Sequence, residues 1–268
     1  MSKQTPIVKN QRIFELDFTR GILIILMCLQ HLCWFFYRYI YCGIWNSSKL
    51  SDRLRSFGVF TNNFLYENPF NLTAMPVGWC IFFLMAGISF TFSRNNYRRA
   101  LITFVFFIIL YLIAIICQTY LKYPVMLNFG IFLGYAFYIF FFQIVKATPF
   151  LFHALLAFLL LILTGLYFVF NLNFEINPLR WFGISQQLNL EYLDEWKLMP
   201  SVFFYFLGGI LGRTLYKNKT SKLQSLNNCN IFKPILLIGK NSMFVYVLSI
   251  VVYPLIFIIL TAIINGGW

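Results

Sequence analysis

Residues Phe18 to Cys42 read F-T-R-G-I-L-I-I-L-M-C-L-Q-H-L-C-W-F-F-Y-R-Y-I-Y-C. Arg20, His31 and Arg38 are the basic residues in an apolar and aromatic run longer than the ~20 residues that cross a bilayer as a helix. The apolar positions are continuous rather than alternating. That pattern reads as helix, since a strand of a membrane barrel would be about 10 residues long with period two. Working outward, comparable runs recur at about 77–93, 101–120, 127–145, 149–171, 200–216 and 241–264. With the first run, 18–42, the sequence predicts an all-α, polytopic integral membrane helix bundle of about seven spans, forming a single domain over 1–268.

Composition agrees and excludes other classes. The chain is 60% hydrophobic and 21% aromatic but 11% charged, against roughly 25% charged in soluble domains. A net charge of +13 would suggest nucleic acid in a soluble chain. Here the basic residues sort by side of the membrane instead. With the N-terminus cytoplasmic, Lys3, Lys9, Arg12, Arg94, Arg98, Arg99, Lys146, Arg213, Lys217, Lys219, Lys222, Lys233 and Lys240 fall inside. Arg38, Lys49, Arg53, Arg55, Lys122, Arg180 and Lys197 fall outside. That 13 to 7 bias predicts N-terminus inside and C-terminus outside, and it leaves no call for a nucleic-acid partner. Segments 43–76 and 172–199 become outer loops, the second holding Glu175, Glu191, Asp194 and Glu195.

Several motifs are missing. Cys28, Cys33, Cys80 and Cys117 lie in apolar runs, Cys229 in a basic loop and Cys42 near the opposite surface, which forms neither a disulfide framework nor a zinc spacing, so no metal is expected. The first span holds Asp17, Arg20 and His31 and ends in bulky aromatics, unlike a cleavable signal. No Walker loop, G-x-S-x-G elbow, H-E-x-x-H or dinucleotide fingerprint is present. Gly208 and Gly212 have the small-xxx-small spacing of close helix packing.

The first helix carries the chemistry. At about 100° per residue, positions 20 and 31 differ by roughly three turns and 20°, about 16 Å along the axis. Asp17 and Arg38 fall on the same stripe. Charge facing lipid costs several kcal/mol, so Asp17, Arg20, His31 and Arg38 are expected to face the bundle interior or a water-filled cavity. Blander readings stand beside this one: Asp17 as a helix-start acid with Arg20 as its i, i+3 partner, Arg38 as a snorkelling anchor, and His153 as a structural residue.

The stretch Arg12 to His31, R-I-F-E-L-D-F-T-R-G-I-L-I-I-L-M-C-L-Q-H, resembles the opening helix of the heparan-α-glucosaminide N-acetyltransferase-like membrane proteins, whose pattern is approximately R-x-x-E-x-D-x-x-R-G-x-x-x-x-x-M-x-x-x-H. Its Arg, ten residues, His spacing also resembles the acyltransferase-3 membrane acyltransferases. Further similarity lies in F-L-M-A-G-I-S at Phe83 to Ser89, F-G-I at Phe129 to Ile131, Asp194 with Leu198 and Pro200 before F-L-G-G-I-L-G, and I-G-K-N-S-M-F-V-Y at Ile238 to Tyr246. Where relatives carry F-G-I-L-H and Y-L-L-H-Q-P, this chain has Leu133 and Ser249 at the histidine positions, and Asp194-Glu195-Trp196-Lys197 stands for their Asp-Tyr-Phe-Pro.

The resemblance implies transfer of an acyl group, expected to be acetyl, from cytoplasmic acyl-CoA to a glycan or lipid-linked acceptor, in a multi-pass protein of a bacterial cytoplasmic membrane. Such transfer needs a base or nucleophile and donors for the developing oxyanion. His31 fits the first role, with Arg20 and Asp17 completing the catalytic set. Arg20 is suited to a CoA phosphate or carbonyl, and Arg94, Arg98 and Arg99 to the nucleotide end. Ser89, Asn241 and Ser242 are candidate polar contacts, and Asp194 is placed to orient the acceptor. Two other classes fit the same stripe: a proton- or anion-coupled transporter, and a noncatalytic membrane subunit that retains the acyltransferase fold.

Overall fold

A computed structural model describes residues 13–45, 50–93, 95–121, 126–127, 131–146, 148–169, 192–194, 198–218, 220–223, 225–226 and 229–265. The chain is a helical bundle. Helix α1 spans Phe14–Phe36 and runs on through a π-helical turn at Tyr37–Tyr41. Then come α2 (Asp52–Asn62) with a second π-helical turn at Asn63–Glu67, α3 (Pro69–Phe90), α4 (Asn96–Leu121), α5 (Ile131–Lys146) and α6 (Phe150–Val169). The chain ends with α7 (Leu198–Thr214), α8 (Lys233–Lys240) and α9 (Ser242–Asn265). Two short strands, β1 (Met126–Leu127) and β2 (Tyr192–Asp194), pair in parallel.

Each expected span has a helix over most of its length: α1, α3, α4, α5, α6, α7 and α9. Among the described residues, Phe14–Tyr41, Pro69–Phe90, Asn96–Ile116 and Ser242–Ile264 are long and apolar enough to cross a membrane by length and composition. Leu133–Gln143 and Phe150–Leu166 are shorter apolar helices. The protein is an integral membrane helix bundle.

The helix starts differ from expectation in two places. Helix α3 begins at Pro69 rather than at 77, because the Asn68 side chain accepts from the Phe70 amide at 2.9 Å and Pro69 occupies the first turn. Pro76 is carried inside the helix, where it removes one backbone hydrogen bond rather than ending the element. The segment expected as a polar outer loop, 43–76, holds α2, whose Ser51 cap accepts from the Leu54 amide at 3.4 Å with Asp52 in the first turn. Periodicity is too weak over these residues to reveal a helix made by capping.

Two helix crossings shape the bundle, and both depend on glycine. At the α3–α7 crossing a Cβ on Gly87 would strike the Tyr205 carbonyl oxygen, and one on Gly208 the Leu84 carbonyl oxygen. A Cβ on Gly212 would meet Thr91 Oγ1 at 2.5 Å. The Gly208–Gly212 spacing is therefore a packing seam against α3. At the α1–α8 crossing a Cβ on Gly21 would strike the Ile235 carbonyl oxygen, and one on Gly239 the Asp17 carbonyl oxygen. The small residues let the backbones meet where larger ones could not. Glu15 ties the following segment to the same end of α1, accepting from Ser221 Oγ at 2.5 Å and from the Lys222 and Leu223 amides at 2.5 and 3.2 Å.

Aromatic residues fill both halves of the core. At the far end Phe35, Tyr39 and Trp45 gather on Phe257, and Trp45 Nε1 donates to Thr261 Oγ1 at 2.7 Å. Nearer the α1 start, Phe142 packs on Phe90, Tyr205, Phe206 and His153.

Candidate functional site

Helix α1 turns Asp17, Gly21, Ile24, His31, Trp34 and Phe35 inward, while Ile22, Leu26 and Leu29 on the other side are exposed. This i, i+3, i+4, i+7 spacing makes one buried face and one lipid-facing face. Asp17 and His31 are each 7% exposed, and Arg20 is half-buried. Arg38 holds its guanidinium 5.8 Å from the Trp34 ring centroid, a cation–π contact in the π-helical turn that ends the helix. The polar stripe of α1 thus faces the bundle.

Beside Arg20 opens a cavity of about 480 Å³, within the usual range for a small-molecule site. Four parts of the fold build it: Arg20 and Ile24 from α1, Phe82, Ala86 and Ser89 from α3, Arg99, Ile102 and Thr103 from α4 with Tyr135 from α5, and the α8–α9 junction from Gly239 to Tyr246. Arg20, Arg99 and Lys240 line it, and among the described residues no carboxylate does. Arg20 donates to Asp17 Oδ1 at 3.2 Å and to the Ser89 hydroxyl, which in turn donates to the Met85 carbonyl oxygen at 2.5 Å. Arg99 Nη2 donates to the Tyr135 hydroxyl at 3.1 Å. Two guanidinium groups are therefore held by hydroxyls at the wall of one cavity, and a polyanion is the ligand that such a lining favours.

The residues singled out from sequence separate into groups. Arg20, Arg99, Ser89, Asn241 and Ser242 come together at this cavity. Asp17 does not line it and pairs with Arg20, which does. Arg98 turns away and lines a second space, between α4 and α5. Arg94 lies outside the described residues, and Asp194 sits in β2, paired through its backbone with Leu127.

His31 does not line the cavity as expected. Its ring lies 5.7 Å from that of Tyr246, which does line it. His31 Nδ1 is buried with no hydrogen-bond partner among the described residues. Ser249 is buried close by on α9 and donates to the Tyr246 carbonyl oxygen at 2.7 Å. Leu133 packs at the edge of the core.

His153 belongs to a different cluster. It is fully buried, its Nδ1 is 3.3 Å from Arg213 Nη1 and 3.5 Å from Thr148 Oγ1, and its ring is 5.0 Å from that of Phe142. Since arginine only donates, Nδ1 accepts and the imidazole is held neutral. This is the packing role that its place at the helix start suggests.

Sequence reasoning missed Tyr135, Thr103, Tyr246 and Lys240 as parts of the site. Lys240 is legible as a basic residue beside a span, but its approach to Arg20 follows from the Gly21–Gly239 crossing.

The family model described as heparan-alpha-glucosaminide N-acetyltransferase, catalytic, matches residues 47–251. The chain belongs to this family. That makes it a member of a family of membrane acetyltransferases, in keeping with the resemblance read from the sequence. The heparan-alpha-glucosaminide N-acetyltransferase match takes in α2 to the middle of α9, and with them the cavity residues Ser89, Arg99, Tyr135, Lys240 and Tyr246. Arg20 and His31 on α1 precede it. No curated protein and no solved structure matches the chain.

Proposed function

We propose that the protein is a membrane acetyltransferase that takes acetyl-CoA at the Arg20 cavity and passes the acetyl group to a glycan or lipid-linked acceptor. The single observation that carries this reading is a cavity lined by Arg20, Arg99 and Lys240, with no carboxylate among the described residues of its wall, at the end of the bundle where α1 begins. The donor's phosphates suit those three cations, and the hydroxyls of Ser89, Thr103, Tyr135 and Ser242 supply further polar contacts in the same space. Bound CoA would supply the acetyl group as a thioester.

The chain's own groups divide the remaining work. Asp17 and Ser89 fix the Arg20 guanidinium in one orientation, so the donor site is organised before binding. Arg99 is fixed by Tyr135 in the same way. His31 takes the acceptor's O–H or N–H proton at a ring nitrogen, as a general base in the bundle interior. His31 lies beside Tyr246, a residue of the cavity wall, at a ring separation of 5.7 Å, which sets it next to the donor site rather than in it. Asp194 is proposed to orient the acceptor from the far side. Arg98 is left out of the donor site because it lines a different space. The 13 to 7 basic bias supports a cytoplasmic N-terminus, which sets the donor cavity on the cytoplasmic side.

His31's separation from the cavity and the Leu133 and Ser249 replacements favour one competing reading, a noncatalytic subunit that keeps the family fold. A mass-shift measurement on the purified chain with acetyl-CoA, followed by an acetyl-transfer assay on membranes, separates the two. Binding together with transfer supports the enzyme. Absence of both leaves the noncatalytic reading in place.

A further inference from the structure

Arg98 and Arg99 are consecutive residues that serve different spaces. Arg99 lines the cavity described above, whereas Arg98 lines a groove of about 650 Å³ between α4 and α5. The rest of the groove's lining is uncharged and almost wholly apolar, and Leu101 (62% exposed), Phe104 and Phe140 present open hydrophobic surface to it.

The groove has a direction. Helices α4 and α5 run antiparallel, with the Tyr97 and Phe140 rings 5.9 Å apart at one level and Asn96 Nδ2 donating to Gln143 Oε1 at 3.2 Å just beyond. Phe104 and Leu133 lie at its other end. The seven helical steps from Tyr97 to Phe104 span about 10 Å at helical rise, against roughly 15 Å for one leaflet of a bilayer's hydrocarbon. Arg98 and Tyr97 therefore sit at headgroup depth, where aromatic and basic anchors belong, while the groove below them reaches into the acyl region. Among the described residues the Arg98 guanidinium is in no ion pair.

We propose that this groove is a binding site for an anionic phospholipid of the bilayer, with one acyl chain along Leu101, Phe104 and Leu133 and the phosphate on Arg98. Apolar walls take the chain, the lone cation selects the charge of the headgroup, and the depth fits a lipid of the leaflet on the α1-start side. The site is separate from acetyl transfer, because it shares no lining residue with the Arg20 cavity.

The test is native mass spectrometry of the purified full chain with phosphatidylglycerol or phosphatidylcholine of the same acyl chains. Wild type is expected to retain the anionic lipid over the zwitterionic one by about five-fold, the value for one basic residue at a membrane surface. Arg98→Gln is expected to lose that preference while still binding lipid. Leu101→Trp, which fills the groove from an exposed position, is expected to lose both adducts with the melting temperature unchanged. The proposal is overturned by equal retention of the two lipids in wild type, by a preference that survives Arg98→Gln, or by adducts that survive Leu101→Trp. It is equally overturned by a dimer that Leu101→Trp dissociates, since a second copy would then occupy the groove.

Discussion

Arg20 on α1 donates to the hydroxyl of Ser89 on α3, a side chain 69 positions away, while the same guanidinium pairs with Asp17 one turn below it. Ser89 is thereby a strut for the cation that faces the donor cavity. Ser89→Ala is expected to raise the KM for acetyl-CoA roughly ten-fold with less effect on kcat, since one hydrogen bond to a charged group is lost. Arg20→Lys is expected to weaken donor binding further, because an ammonium cannot hold Asp17, Ser89 and a phosphate in one plane. Steady-state kinetics on membranes decides both, and an unchanged KM in Arg20→Lys would remove Arg20 from the donor site.

His31→Ala is expected to cut acetyl transfer by about 10²-fold or more, while acetyl-CoA binding stays at the wild-type level because His31 does not line the cavity. Transfer and mass-shift binding are measured on the same preparation. Native transfer rates in a normally expressed His31→Ala protein would exclude the imidazole as base.

Gly239→Ala forces a methyl group against the Asp17 carbonyl oxygen. It is expected to destabilise the protein by ~1–3 kcal/mol, as overpacking does, and to weaken acetyl-CoA binding as the Lys240 to Ser242 wall moves outward. Gly165→Ala is the control: nothing lies within 4 Å of a Cβ there, and the change is expected to be neutral or slightly stabilising. Thermal unfolding in detergent compares the two. Equal melting temperatures would mean that the α1–α8 crossing is looser than described.

Orientation is open to a chemical test. Cys42 is an exposed free thiol at the end of the bundle opposite the cavity, and Lys222 is exposed beside the α1 start. In intact cells a membrane-impermeant thiol reagent is expected to label Cys42 as the only cysteine, and to spare Lys222→Cys made in a Cys42→Ser background. The reverse labelling pattern places the N-terminus outside.

The spans were legible because a bilayer demands long apolar runs, and the inward face of α1 because lipid penalises Asp17 and Arg20. The apolar run that begins near 77 pointed to a late start for α3, because the Asn68 cap that starts it at Pro69 is a local detail that hydropathy does not weigh. The cavity was half legible. Arg20, Arg99 and Ser89 carry chemical signals of their own, whereas Tyr135 and Tyr246 are aromatic residues among many and acquire meaning only from the helices that bring them together. The approach of His31 to Tyr246 is a matter of ring packing between α1 and α9, which no spacing within either helix encodes.

The Gly21–Gly239 contact also bears on how the protein is made. Helix α1 leaves the ribosome more than 200 residues before the segment that covers its polar face. At ordinary synthesis rates that interval is roughly 10 to 45 s. Early in it, before α3 brings Ser89 to Arg20, the i, i+3 pairing of Asp17 with Arg20 lets the nascent helix neutralise its own charges. The pair that later organises the cavity is thus first what makes the opening helix tolerable to the membrane, so separating these two charges should first appear as failed insertion and only afterwards as lost chemistry.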